Sequence, residues 1–307
     1  MNSALLISFL MTVAMAATPI LLASLGELVA EKAGVLNLGV EGMMLVGAVA
    51  GFATASVTGS AYLGLVAAML GGIAVALLFA ALTLGLSANQ VATGLALTIF
   101  GIGASSLIGA PFVGRTIERL GPLFPRDLAQ HQVLRVVFGY DLLVYLSLAL
   151  TGAIAWWLAR TRAGLILRAV GESDTSAHSI GYPVLAIRTA AVAFGGALAG
   201  LGGAYFSLEL TPMWADRLTA GRGWIALALV VFAAWRPSRL LAGAYLFGAV
   251  MTLELYAKAA GFTALPPEIL AMLPYLATIL VLTAISVKPG RVSAAAPACL
   301  GKAFSPA

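Results

Sequence analysis

Apolar positions along the chain gather into long runs near residues 4–25, 38–58, 61–86, 89–110, 141–159, 189–208, 223–235, 239–258 and 268–287. Most reach the roughly 20 residues an α-helix needs to cross the hydrocarbon core of a bilayer. The pattern therefore predicts an all-α polytopic membrane helix bundle with about 8–10 transmembrane helices. The run from Gly223 to Trp235 is too short to span at 1.5 Å per residue. It predicts a half-helix, a discontinuous element, or a tilted helix whose upper end is buried in protein. Residues 1–290 form the expected transmembrane domain, and 291–307 a short cytoplasmic tail. No Lys or Arg precedes the first run, so the basic region of a secretory signal is missing and this segment is expected to be retained.

The segment from Gly26 to Gly42 breaks the pattern, setting Glu27, Glu31, Lys32, Asn37 and Glu41 into a chain that otherwise avoids such residues. A charge at the centre of a lipid-facing helix costs about 2.5–3.5 kcal/mol on insertion scales, so these side chains must meet water, protein or a solute. One reading is a solute path, with Asn37 and Glu41 four apart and on a common face if the helix restarts near Leu36. Gly34 and Gly39 would then let the backbone turn toward a cavity. The other reading is a short cytoplasmic turn in which Glu27, Glu31 and Lys32 are solvated. Asn89, Gln90 and Thr93 open the fourth run, either as helix-start residues or as side chains that hydrogen-bond an uncharged polar solute.

Composition agrees with a membrane protein: 61% of residues are hydrophobic, 9% are charged, and the mean hydropathy is +1.03. The net charge of +5 comes mostly from cations beside apolar runs, where they set topology and meet lipid headgroups, so no nucleic-acid partner is expected. Arg160, Arg162, Arg168 and Arg188, then Arg236 and Arg239, then Lys288, Arg291 and Lys302 fall on one side, the cytoplasm. Segments 111–140, 209–222 and 262–267 then face outward, although Arg115, Arg119, Arg126 and Arg135 fit the first of these poorly. If residues 26–38 interrupt a single discontinuous helix instead of reversing the chain, the amino terminus changes sides.

Gly47 and Gly51, like Gly196 and Gly200, are spaced for close helix packing. Glu254 and Lys258 read as a structural pair. Cys299 is the single cysteine, and His131 and His178 are isolated. No nucleophile elbow, zinc-binding helix or phosphate loop occurs, so neither catalytic residues nor a metal site are expected.

Between Arg162 and Arg188 the stretch Leu165–Pro183 reads as a short amphipathic helix, an acidic cap region and a Gly-Tyr-Pro stop. It either connects two helices or docks a partner. Three stretches, Gly26–Gly42, Leu167–Glu172 and Gly221–Leu229, occur in an order that resembles the permease subunits of ABC importers for ribose, nucleosides and branched-chain amino acids, most closely the nucleoside-type branch.

The resemblance implies a bacterial inner-membrane half-transporter, in which Asn37, Glu41, Asn89, Gln90, Thr93 and Trp224 are the expected path residues. It implies a second permease subunit, with a heterodimer suggested and a homodimer left open, and an extracytoplasmic solute-binding protein. ATP-binding subunits would dock at Arg168, Gly171, Glu172 and Gly181 and would hold the ATP and Mg, with no cofactor on this chain. The implied solute is a nucleoside, leaning to purines, or a simple sugar. The amino-terminal end of the short Gly223 run would point its dipole at the path. An ion-coupled secondary carrier is the alternative of a different class, and it calls for ionisable groups in mid-span.

Overall fold

The structure, a computed structural model, describes residues 3–125, 132–260 and 296–304, with single positions at 266, 272, 276, 279 and 283. The turn expected at 262–267 and the run at 268–287 lie almost wholly outside the described residues. The long helices are α1 (Ser3–Lys32), α2 (Val40–Thr58), α3 (Ala61–Ala80) and α4 (Gln90–Gly109). After the short α5 (Gln132–Phe138) comes α6 (Leu142–Arg160), and α7 (Arg162–Glu172) and α8 (Asp174–Ser179) form the next loop. Then follow α9 (Val184–Tyr205), the short α10 (Arg222–Phe232) and α11 (Pro237–Ala259). Wide turns at Ala81–Gly85 and Phe206–Leu210 extend α3 and α9. Among the described residues 7 helices are long and apolar enough to cross a membrane, and α10 is a shorter apolar helix beside them.

Local chemistry sets the helix starts. The side chains of Ser60, Asn89, Asp141, Thr161 and Ser173 each accept a hydrogen bond from an amide in the first turn of α3, α4, α6, α7 and α8. α1 continues through Glu27 and Glu31, past the end of its apolar run, because both carboxylates find donors inside the protein. α9 begins at Val184, earlier than its apolar run, and so takes in Arg188. This guanidinium is fully buried, pairs with Asp174 at 3.0 Å and donates to the Ala33 carbonyl. Buried in this way, Arg188 is a structural group and not a flanking topology signal.

α9 is the centre of the bundle, packed on α1, α2 and α3. Its small residues permit this: a Cβ at Gly200 or Gly203 would overlap the backbone of Ala68 on α3 or Met44 on α2. The expected glycine packing is present, with Gly47 set on Gly200 and Gly51 against Ala204. α4 lies at the periphery and turns Ile99, Phe100 and Leu107 outward, as a lipid-facing helix should.

One end of the bundle gathers Lys32, α7, α8, Trp235, the start of α4 and residues 296–304. The other gathers the α2–α3 turn, residues 115–120 and the bridges Val113–Trp214 and Thr116–Met213. Lys32, Arg160, Arg162, Arg168, Arg236 and Lys302 place the cytoplasm at the first end. α1 therefore runs inward, the chain reverses over residues 33–39, and α2 runs outward, so the break does not lie within one continuous spanning helix. Arg115 stays at the outer end, where its guanidinium lies 5.4 Å from the Phe112 ring centre.

Candidate translocation site and coupling surface

The interruption is built from backbone groups that helix geometry no longer satisfies. The amides of Gly34 and Val35 still reach Glu31 and Ala30 carbonyls, and Gly34 takes a φ of +90°, which favours glycine. Beyond them, side chains take over. Gln90 Oε1 accepts from the Leu36 amide at 2.8 Å, Glu27 Oε1 from the Asn37 amide at 3.0 Å, and Asn37 Oδ1 from the Gly39 amide at 2.9 Å. The Asn37 side-chain nitrogen, Nδ2, points at Met43 Sδ, 3.4 Å away. Inside a membrane each of these amides would otherwise lack a partner.

This arrangement corrects several expectations. The helix restarts at Val40, not near Leu36, so Asn37 lies outside it and shares no helical face with Glu41. Asn37 is 1% exposed, and its polar atoms are engaged within the bend. Glu27 and Glu31 are equally buried, so the solvated-turn reading fails. Glu31 instead accepts from the Trp235 indole at 2.5 Å, and Lys32 lies over the same ring.

α10 is the predicted half-helix. Its 11 residues rise about 16 Å, roughly half of a 30 Å hydrocarbon core. Its carboxyl end reaches Trp235 at the cytoplasmic end, so its amino end lies near mid-membrane, where Glu41 receives it. Glu41 Oε1 accepts from the Thr219 hydroxyl at 2.6 Å and the Gly221 amide at 2.8 Å, and Oε2 from the Gly223 amide at 2.6 Å. A carboxylate at these unmatched amides satisfies both their hydrogen bonding and the helix dipole. The α10 dipole is thus met by Glu41 and does not aim at open space. Gly223 permits this seat, because a Cβ there would fall on the Glu41 backbone.

Open space lies beside that seat. A cavity of about 400 Å³ extends toward the outer end, lined by Thr12 of α1, Phe206 and Leu210 after α9, Arg222 and Ile225 of α10, and Thr252, Glu254 and Lys258 of α11. The Arg222 guanidinium lies 4.8 Å from the Phe206 ring centre, and Glu254 pairs with Lys258 at 2.7 Å. The expected path residues are placed elsewhere. Asn89 caps α4, Gln90 is buried between the bend and residue 302, Thr93 is half-buried on α4, and Trp224 is exposed on the first turn of α10. The spacing of Glu254 and Lys258 reads as a pair within one helix, but nothing in it joins them to Arg222, which comes from a different part of the chain.

At the cytoplasmic end α7 and α8 follow the expected outline, with Gly181 at a φ of +90° closing α8 and Pro183 opening α9. Arg168, Glu172 and Gly181 are exposed, whereas Gly171 packs directly on the Lys32 carbonyl. The loop thus presents an outer surface while its inner side rests on the foot of α1.

Comparison with known proteins agrees with this architecture. Residues 9–282 match the family described as branched-chain amino acid transport system / permease component. A Haloferax volcanii protein assigned as the glucose ABC transporter permease TsgC13 is 39% identical over 312 residues, covering 94% of this chain and 95% of the relative. The guanosine ABC transporter permease protein NupQ of Bacillus subtilis is 31% identical over 87% of this chain and 88% of its own. The nucleoside ABC transporter permease protein NupC of Lactococcus lactis is 31% identical over 86% and 88%. The chain is a multi-pass membrane protein and belongs to the branched-chain amino acid transport system permease family, a family of transport components and not of catalysts.

Proposed function

We propose that this chain forms the membrane path of an ATP-driven importer for a nucleoside, with purine nucleosides preferred, or for a related solute such as a simple sugar. The observation that carries this reading is the half-helix halted on Glu41 beside an outward cavity that combines an aromatic ring, a guanidinium, a threonine hydroxyl and an ion pair. Such a lining suits a flat ring bearing hydroxyls, which offers an apolar face and several donors and acceptors. Relatives named for guanosine, nucleosides and glucose support the same class, since each of those solutes carries a sugar or is one.

In this reading a binding protein delivers solute at the outer end, a second permease chain completes the path, and ATP-hydrolysing subunits dock on α7 and α8. Arg168, Glu172 and Gly181 offer the docking surface, and Gly171 passes the movement to the foot of α1. Closure of the ATPase pair would bias the bundle between outward and inward states as a two-state rigid-body change. ATP and Mg belong to those subunits.

The test is reconstitution of the chain with the ATPase, partner permease and binding protein of its importer in proteoliposomes. Uptake of labelled guanosine should require ATP inside and loaded binding protein outside. Calorimetry of the binding protein assigns the solute, and a tight ligand that is a simple sugar alone would replace the nucleoside assignment. Uptake by this chain alone, driven by a proton or sodium gradient, would overturn the importer reading in favour of a secondary carrier.

A further inference from the structure

Residues 296–304 lie beyond the family match, which ends at 282, yet they are woven into the cytoplasmic end of the bundle. The Cys299 amide donates to the Gly171 carbonyl at 2.9 Å, and its thiol lies 3.5 Å from the Glu172 carbonyl, so the tail caps the last turn of α7. Two residues on, the Gly301 amide donates to the Gly34 carbonyl at 3.2 Å, within the interruption itself. Gln90 Nε2 donates to the Lys302 carbonyl at 3.4 Å while its Oε1 holds Leu36, so one side chain ties tail, bend and α4 together.

Phe304 anchors the end of the strap. Its ring is buried against Val170, Ala177 and Val184, with the His178 ring edge-on at 5.5 Å and the Arg188 guanidinium 6.0 Å from its centre. Between these buried anchors Gly301, Lys302 and Ala303 are exposed, on the same end of the molecule as Arg168 and Glu172.

We infer that the C-terminal segment Ala296–Phe304 is part of the surface on which the ATP-hydrolysing subunit docks, and that it fastens the coupling helix α7 to the 33–39 bend. The inference rests on the importer reading above. Without the strap, α7 rests on the foot of α1 at Gly171 and α8 reaches Ala33 through the Asp174–Arg188 pair, and the ties from the tail to Gly34 and to Gln90 of α4 are lost. With it, α7, α8, α9, the bend and α4 share one hydrogen-bonded, Phe-anchored clamp, and displacement at the docking surface must displace the bend.

The chain's single cysteine reports on the clamp with no engineering. In the assembled wild-type transporter, maleimide should modify buried Cys299 slowly. Phe304→Ala should speed this about tenfold or more, because loss of the anchor raises the population of the lifted tail. In the same preparations, Phe304→Ala and a truncation after Ala295 should lower ATP-driven uptake about tenfold and abolish stimulation of ATP hydrolysis by loaded binding protein, or release the ATPase subunit during co-purification. Monodisperse elution of the variant permease separates these effects from misfolding, and Phe304→Leu, which keeps an apolar anchor, should restore most of both readouts.

Wild-type Cys299 reacting as fast as a solvent-exposed thiol would overturn the inference. So would a truncated chain that keeps wild-type uptake and stimulation. A wild-type assembly that shows no ATP-driven uptake while Cys299 stays protected would instead count against the importer reading and leave the clamp in place.

Discussion

The bend at residues 33–39 and the head of α10 are both places where backbone amides lose their helical partners inside the membrane and side-chain oxygens take them up. At the bend the solution is divided: Glu27 serves Asn37, Asn37 serves Gly39, and Gln90 serves Leu36. At α10 a single group, Glu41, serves two amides and a hydroxyl. The bend is sealed, and among the described residues the second oxygen of Glu27 meets no donor. The α10 head instead adjoins the cavity that begins at Ala220 and Arg222. The polar residues of the Gly26–Gly42 segment therefore shape backbone, and Glu41 among them supports the α10 head beside the cavity from behind.

The sharpest way to break this comparison is Glu41→Ala. It strands three donors, each costing about 1–3 kcal/mol when buried and unmatched, so the variant should lose most folded protein in fluorescence-detected size exclusion. Glu27→Ala strands one amide and should cost about 1–3 kcal/mol, read as a lower melting temperature of the purified chain. If the two variants were equally harmful, the distinction between a divided and a concentrated solution would be lost.

Smaller changes sharpen it. Asn89→Ala removes a cap and should cost about 1 kcal/mol of stability, leaving the KM for uptake unchanged if Asn89 only starts α4. Lys258→Met deletes a partly exposed pair worth about 0.3–0.5 kcal/mol, so the melting temperature should hardly move. A raised KM for uptake in that variant would mark the cavity as the route, and an unchanged KM would direct attention away from it.

Much of this architecture is legible in the residues themselves. Run lengths give the spanning helices, the shortness of Gly223–Trp235 gives the half-helix, and the Gly-Tyr-Pro stop gives the end of α8. The roles of Asn37 and Glu41 are less legible, because their type and position suit a solute path and a backbone cap equally well. Only the fold decides, through partners such as Gly221 and Gly223, 180 and 182 residues away from Glu41. The buried tail was unreadable for a related reason: Cys299, Gly301 and Lys302 contribute mainly backbone groups, and side-chain chemistry carries no record of them. The cavity shares that difficulty, since α1, α9, α10 and α11 each supply only a few of its residues.

The Glu41 seat also constrains how the molecule is made. The donors that will hold this carboxylate, Thr219 to Gly223, lie 178 to 182 residues after Glu41 and are synthesised long after α2. Until they arrive, this acidic group lacks the partners that hold it in the finished bundle. The seat, and the packing of α2 on α10 around it, can therefore close only after the chain has grown past the head of α10, which makes this part of the fold a late event in biogenesis.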